Sequence, residues 1–172
     1  MNNPTIFLDL DGVLNSTTTG FLNGFADRSM DLELDDYSVQ ILNMLLTSIP
    51  NHQIVVSSSW RKIDPNIFQT LINYGVKGNF IDITPSLKNS FFRGDEVQAW
   101  LNDHPEVTTF VCIDDGDDFH SNQNLILTNP MYGIRLIDLY QMLKVLDPLV
   151  DTLLHRELQQ EFLSIPIQYR EV

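Results

Sequence analysis

Residues 5–14 read Thr-Ile-Phe-Leu-Asp-Leu-Asp-Gly-Val-Leu, and the pattern of this stretch is the strongest indication of the fold. Its first four residues are apolar or β-branched, which is typical of a short strand buried inside a parallel sheet. The strand ends directly before Asp9, and the pair formed by Asp11 and Gly12 is a turn signal. We therefore predict a buried strand whose carboxyl end presents two acidic side chains.

The same arrangement, an apolar strand followed by polar residues, occurs twice more along the chain. Residues 53–56 precede the serines 57–59, and residues 108–113 precede the acidic run 114–118. Segments with helical periodicity separate the strands, which predicts an α/β fold, a three-layer sandwich around a doubly wound, mainly parallel sheet. The predicted strands cover residues 5–8, 53–56, 80–83, 108–113 and 124–127, and the predicted helices cover residues 37–48, 64–74, 94–102 and 136–146.

The polar residues at these strand ends point to a metal site. In parallel α/β sheets, ligands bind beyond the carboxyl ends of the strands, where Asp9, Asp11, Asp114 and Asp115 are expected to converge. Carboxylates this close repel one another unless a hard cation binds between them, and an all-oxygen site favours Mg²⁺. With Mg²⁺ bound, one aspartate can attack a phosphorus atom while another, two residues on, protonates the leaving oxygen.

Residues 6–14 resemble the first motif of the haloacid dehalogenase (HAD) superfamily of phosphohydrolases, a strand followed by Asp-x-Asp-Gly. Ser58 and the pair of Asp114 and Asp115 stand, in order, where that family places its phosphate-binding Ser or Thr and its last acidic pair. Residues 58–61 and 93–101 are similar to the small HAD domains found alone or fused to RNA-repair enzymes. The resemblance covers about residues 5–146 and implies a HAD-like, Rossmannoid fold.

The resemblance implies roles for the residues that match the first two motifs. Asp9 would be the nucleophile that becomes an aspartyl-phosphate. Asp11 would be the general acid and then the base, and its backbone carbonyl would join the Mg²⁺ ligands. Ser58 would donate a hydrogen bond to a phosphoryl oxygen, with Gly12, Ser57 and Ser59 beside it as substrate-binding residues.

Two positions compete for the family's third motif, a Lys or Arg that offsets negative charge on the nucleophile and the phosphate. Arg93 stands at the start of a predicted helix, and Lys88 is its rival for this role. In the last motif, Asp115 would bind the metal directly with Asp114 as its partner, and Asp118 would bind through water. Which member of the acidic pair contacts the metal is left open by the sequence.

Composition restricts the substrate class. The chain of 172 residues carries 10 Lys and Arg against 23 Asp and Glu, a net charge of −13. This charge disfavours stable binding to nucleic acid or to an anionic membrane surface. We expect the substrate to be a phosphorylated small molecule such as a nucleotide, or the terminal phosphate of a nucleic acid, and the RNA-repair resemblance makes these two the first candidates.

The sequence also indicates a cytoplasmic setting. The single cysteine, Cys112, lies in an apolar run and cannot form an internal disulfide. No basic leader precedes the first apolar segment, and no apolar run approaches the 18 residues of a membrane span. We therefore expect a cytoplasmic enzyme with a buried thiol.

Two parts of the chain are predicted. Residues 1–147 are expected to form the catalytic domain, with a minimal cap, because only an irregular flap over residues 15–35 and the stretch 61–88 are available to build one. Residues 148–172 are predicted to form a helical appendage, whose apolar stripe packs on the body of the domain or on a partner, such as a second copy of the chain. Trp60 and Trp100 are interpreted as core anchors.

Two other classes of protein are alternatives to a phosphatase. The first is a binding or regulatory protein that keeps the HAD scaffold without turnover and acts through a partner, against which the complete set of motif residues argues. The second is a phosphate-sensing receiver domain, which needs its phosphoacceptor on a mid-chain strand. That place is held here by the serines 57–59, so the receiver domain is the weaker hypothesis.

Overall fold

The computed structural model describes residues 3–22, 33–90 and 92–147. Its centre is a sheet of five parallel strands in the order β3-β2-β1-β4-β5. The strands are β1 (Thr5–Leu8), β2 (Gln53–Val56), β3 (Phe80–Ile83), β4 (Phe110–Asp114) and β5 (Leu125–Leu127). The helices are α1 (Thr17–Leu22), α2 (Asp36–Ser48), α3 (Ile67–Asn73), α4 (Arg93–Asp103) and α5 (Leu136–Leu146), and a 3₁₀ turn covers Ser59–Lys62.

Side chains alternate between the two faces of β1, and this alternation builds three layers. Ile6 and Leu8 pack in the larger core with the buried faces of α2, α3 and α5. Phe7 points to the opposite face, where its ring meets Trp100 of α4 edge-on at a centroid distance of 5.3 Å. The predicted three-layer α/β sandwich with a parallel sheet is therefore confirmed.

The strand order places a topological switch point at β1. The chain moves outward from β1 to β2 and β3, then crosses back through α4 to pair β4 with the other edge of β1. At such a point the connections leave in opposite directions, and a crevice opens beyond the carboxyl ends of the strands. The residues that follow β1, β2 and β4 are thereby brought to one place.

Several predicted bounds shift for local reasons. The flap predicted over residues 15–35 contains α1, whose Thr17 N–H donates to the Pro130 carbonyl at 2.9 Å. Helix α3 begins at Ile67 rather than at residue 64, because the Asp64 carboxylate accepts from the Asn66 N–H and closes a turn first. The predicted appendage at 148–172 lies outside the described residues. Among the described residues, no helix has the length and apolarity to cross a membrane.

Candidate active site

Three strand ends form the floor of the site. The Asp9 N–H donates to the Ile113 carbonyl on β4 at 3.0 Å, and the Ser57 N–H donates to the Leu8 carbonyl on β1 at 2.9 Å. These bonds extend the ladders of the sheet by one residue past each strand. As a result, Asp9, Ser57 and Asp114 leave the sheet side by side.

Asp9, Asp114 and Asp115 form a group of three carboxylates, each offering one oxygen within 4.8 Å of the others. Asp9 and Asp114 are each only 3% exposed. Burial, followed by the negative charge of Asp114, raises the pKa of Asp9 to about 7. Burial also raises the pKa of Asp114 to about 6. The fold by itself therefore disfavours the ionised forms of Asp9 and Asp114.

This group fits a divalent cation. All of its donors are carboxylate oxygens, the type that Mg²⁺ prefers. The Oδ2 atom of Asp114 is buried and accepts no hydrogen bond from the described residues, although it lies 3.3 Å from the Nε of Arg93. Gly12 has a φ of +67°, and a Cβ there would collide with the carboxylate of Asp115. Glycine at this position therefore lets Asp115 approach the turn that follows β1.

Arg93, the first residue of α4, reaches into the carboxylate group. Its guanidinium lies 3.5 Å from the Oδ1 of Asp9 and 3.3 Å from the Oδ2 of Asp114, and it donates to the Ser57 carbonyl. Lys88 is exposed and forms no ion pair with a described carboxylate. Of the two candidates for the third motif, Arg93 is the one that the fold brings to Asp9, the candidate nucleophile.

Asp118 determines where α4 begins. Its Oδ2 accepts from the backbone N–H of Arg93 at 2.7 Å, and its carbonyl accepts from the N–H of Gly94 at 3.0 Å. The carboxylate and the backbone carbonyl of Asp118 thus each satisfy one N–H group that has no partner inside the helix. Asp118, predicted as a ligand through water, thus holds the helix that carries the arginine.

A buried ion pair that the sequence did not predict lies beneath the site. Arg61 donates to the carbonyls of Ser57 and Ser58 at 2.6 and 2.5 Å, and to the Oε2 of Glu96 at 2.6 Å. Glu96 also lies 3.7 Å from the Nη1 of Arg93. One buried carboxylate therefore binds both arginines and links the loop after β2 to α4. The only signal in the sequence is a basic residue, Arg61, two positions after the last of the three serines in an acidic chain.

The three serines after β2 have different environments. Ser58 is fully buried, and its side chain forms a hydrogen bond with Asp9. Ser57 is also buried and contributes its carbonyl, which accepts from both arginines. Ser59 is exposed and begins the 3₁₀ turn. Of the three serines, Ser58 is the one whose side chain is joined to the candidate nucleophile.

Asp11 lies outside the group of three carboxylates. Its side chain is exposed and accepts from the indole Nε1 of Trp60, with both oxygens at 3.0 Å, and from the Nδ2 of Asn15 at 2.8 Å. The ring of Trp60 packs against the larger core, so the prediction of a core anchor describes only part of its role. The two aspartates of the first motif therefore have separate environments, one buried among charges and one held at the surface.

A comparison with protein families yields one match. The family described as the HAD domain in Swiss Army Knife RNA repair proteins matches residues 5–139, well over half of the chain. No curated protein and no solved structure matches the chain. The matched range contains every residue of the site described above.

Proposed function

Because the chain belongs to the family of HAD domains in Swiss Army Knife RNA repair proteins, we propose that it is a Mg²⁺-dependent phosphomonoester hydrolase acting through an aspartyl-phosphate. One observation carries the proposal. Asp9 lies buried beside a phosphate-binding candidate, Ser58, and a cation, Arg93, while Asp11 stays outside the carboxylate group. A nucleophile and a separate acid are what two-step phosphoryl transfer requires.

In the first step, Asp9 attacks the phosphorus atom. A new bond forms between a carboxylate oxygen and phosphorus, and the bond between phosphorus and the leaving oxygen breaks. The guanidinium of Arg93, 3.5 Å from Asp9, offsets the negative charge that the phosphate adds to this acidic site. The hydroxyl of Ser58 orients one phosphoryl oxygen.

Asp11 transfers the protons of the reaction. In its protonated form it gives a proton to the leaving oxygen, so that an alcohol departs. It then takes a proton from the water that attacks the aspartyl-phosphate, which releases phosphate and restores Asp9. The exposure of Asp11 suits both tasks, because the leaving group and the water enter from solvent.

Asp9, Asp114 and Asp115 are the side chains that would hold Mg²⁺, together with the backbone carbonyl of Asp11. When bound, the ion neutralises the carboxylates and the phosphate and so permits their close approach. The buried Oδ2 of Asp114, which has no hydrogen-bond donor among the described residues, supports this assignment.

For the substrate, we favour a nucleotide or the terminal phosphate of a nucleic acid. The family's description names RNA repair proteins, which supports a nucleic-acid substrate. The net charge of −13 opposes tight binding of a long polyanion, so such a substrate would be bound only briefly. A small phosphomonoester is compatible with the same charge.

A phosphatase screen tests the proposal. The full chain is assayed on 5′- and 3′-nucleotides, on oligonucleotides with terminal phosphates, and on p-nitrophenyl phosphate, with Mg²⁺ and with EDTA. We expect Mg²⁺-dependent release of phosphate and its loss in Asp9→Asn. Absence of turnover on every substrate would favour the alternative, a HAD scaffold that binds a partner without catalysis.

Asp11→Asn tests the division of roles. Alkyl phosphates need a protonated leaving group, whereas p-nitrophenolate departs without help, so we expect the first step, phosphorylation of Asp9, to slow about 10²–10⁴-fold on alkyl phosphates only. Because the variant lacks the base for the second step, phosphate should accumulate on Asp9, visible as added mass. Equal losses on both substrates, with no trapped intermediate, would remove the acid–base role.

A further inference from the structure

A single turn connects both aspartates of the first motif to the loop after β2. Ser58 is hydrogen-bonded to Asp9, and Trp60, two residues later, donates its indole N–H to Asp11. The turn itself is closed by the backbone N–H of Trp60, which donates to the Ser58 hydroxyl at 3.4 Å. The two residues of the turn that contact the acids, Ser58 and Trp60, are therefore two positions apart, as Asp9 and Asp11 are.

We propose that Trp60 is a positioning residue that holds the carboxylate of Asp11 in place for proton transfer, an inference that rests on the proposed function. The indole N–H is equally distant, at 3.0 Å, from both carboxylate oxygens. A donor shared in this way fixes the carboxylate along the N–H direction. Asn15 donates to one oxygen at 2.8 Å and so limits rotation about that direction.

An indole suits this task for two reasons. Its nitrogen can only donate, so it cannot compete with Asp11 for the proton that the reaction transfers. Its ring is also large and rigid, and in Trp60 the ring packs against the larger core. The position of the N–H is therefore set by the core of the protein, although Asp11 itself lies on an exposed turn.

The base of the turn is fixed as well. Arg61, the next residue, is buried and donates to the carbonyls of Ser57, Ser58 and Thr84. It also binds the carboxylate of Glu96 at 2.6 Å. Because these bonds immobilise the backbone on one side of Trp60, the indole N–H has little freedom to move away from Asp11.

The other tryptophan provides a matched control. Trp100 also donates its indole N–H to a carboxylate, that of Asp82, at 2.7 Å. It lies in the smaller core, on the face of the sheet that carries Phe7, and its partner Asp82 is not one of the acids of the site. Trp60→Phe and Trp100→Phe thus remove the same type of hydrogen bond, one inside the proposed machinery and one outside it.

The kinetic test is a double-mutant cycle with the full chain and Mg²⁺. For Trp60→Phe we expect kcat/KM, which reports the phosphorylation step alone, to fall about 10- to 100-fold on an alkyl phosphate and less than about threefold on p-nitrophenyl phosphate. Trp100→Phe is expected to keep the wild-type ratio of the two substrates. In the Asp11→Asn background, Trp60→Phe should cause no further loss, because the residue through which it acts is gone.

Fluorescence tests the contact without turnover. The chain has two tryptophans, and the excited indole carries more positive charge at its pyrrole end, so a carboxylate beside the N–H shifts emission to longer wavelength. We expect Asp11→Asn to shift the emission of Trp60 to shorter wavelength, and the shift to vanish when Trp60 is replaced by Phe.

The outcomes separate this inference from the proposed function. If the wild type turns over but the losses of Trp60→Phe and Asp11→Asn multiply, or kcat/KM falls equally on both substrates, the positioning role is wrong and the phosphatase stands. If Asp11→Asn leaves the emission unchanged, the contact itself is refuted. If the wild type hydrolyses no phosphomonoester, the proposed function and the positioning role both fail.

Discussion

Asp9→Asn is expected to stabilise the metal-free protein while it abolishes turnover. The folded protein raises the pKa of Asp9 from 3.8 to about 7, through burial first and the charge of Asp114 second. A raised pKa means that the folded protein favours the protonated form of Asp9. This contribution to the free energy of unfolding is complete below pH 3.8 and is lost as the pH rises toward 7. Ionised Asp9 therefore weakens the fold at neutral pH when no metal is bound.

The magnitude follows from the size of the shift. Each pKa unit corresponds to about 1.4 kcal/mol, so at pH 8 the ionised Asp9 lowers the free energy of unfolding by about 4 kcal/mol. At pH 5.5 the effect is about 2 kcal/mol, because the pH lies partway between the two pKa values. Asn keeps the shape of Asp and carries no charge, so the variant should gain these amounts.

The assay is urea unfolding followed by circular dichroism, in EDTA, at pH 5.5 and pH 8. With an m-value of about 2 kcal/mol/M, the gain at pH 8 shifts the midpoint upward by about 2 M. Asp117→Asn is the control, since it removes the same charge from an exposed residue of the acidic run and should change stability by less than about 0.5 kcal/mol.

Mg²⁺ should narrow this difference in stability. If the ion binds the three carboxylates of the folded site, as proposed, millimolar Mg²⁺ should raise the melting temperature of the wild type more than that of Asp9→Asn. A variant less stable than the wild type at pH 8 in EDTA, or a gain independent of pH, would refute the view that Asp9 is ionised at a cost to the fold.

Three further predictions, the first with a control substitution, test the remaining parts of the site. Arg93→Met should reduce kcat at least about 100-fold because the cation beside the proposed nucleophile is lost, whereas Lys88→Met should stay within about twofold, and comparable losses in a phosphatase assay would undo the choice between them. Glu96→Gln should lower the free energy of unfolding by about 2–3 kcal/mol, since two arginines lose their shared carboxylate, and a change below about 0.5 kcal/mol in urea would contradict this. Gly12→Ala should cost about 1–2 kcal/mol through its positive φ and should also weaken Mg²⁺ binding by displacing Asp115; unchanged affinity in a calorimetric titration would show that Asp115 is dispensable.

Local patterns were sufficient for most of the secondary structure. The strands at 5–8, 53–56 and 80–83 and the helix at 136–146 have the predicted bounds, because apolar periodicity and flanking turn residues act over a few positions. The prediction was less accurate at α3, where the Asp64 carboxylate closes a turn before the helix starts. Such competition between a side chain and the helix depends on geometry that composition does not reveal.

The candidate site shows the same difference between what local patterns predict and what depends on tertiary geometry. Acids and serines follow the strands in the sequence, which is enough to predict that carboxylates gather at one edge of a parallel sheet. The contacts among side chains, by contrast, depend on the tertiary fold: Arg93 rather than Lys88 lies at Asp9, and Trp60 lies at Asp11. Partners in these contacts lie up to 84 positions apart, as in Arg93 with Asp9, and meet because β4 returns to pair with β1. Side-chain periodicity carries no information over that distance in the sequence, whereas the strand order determines which distant residues meet.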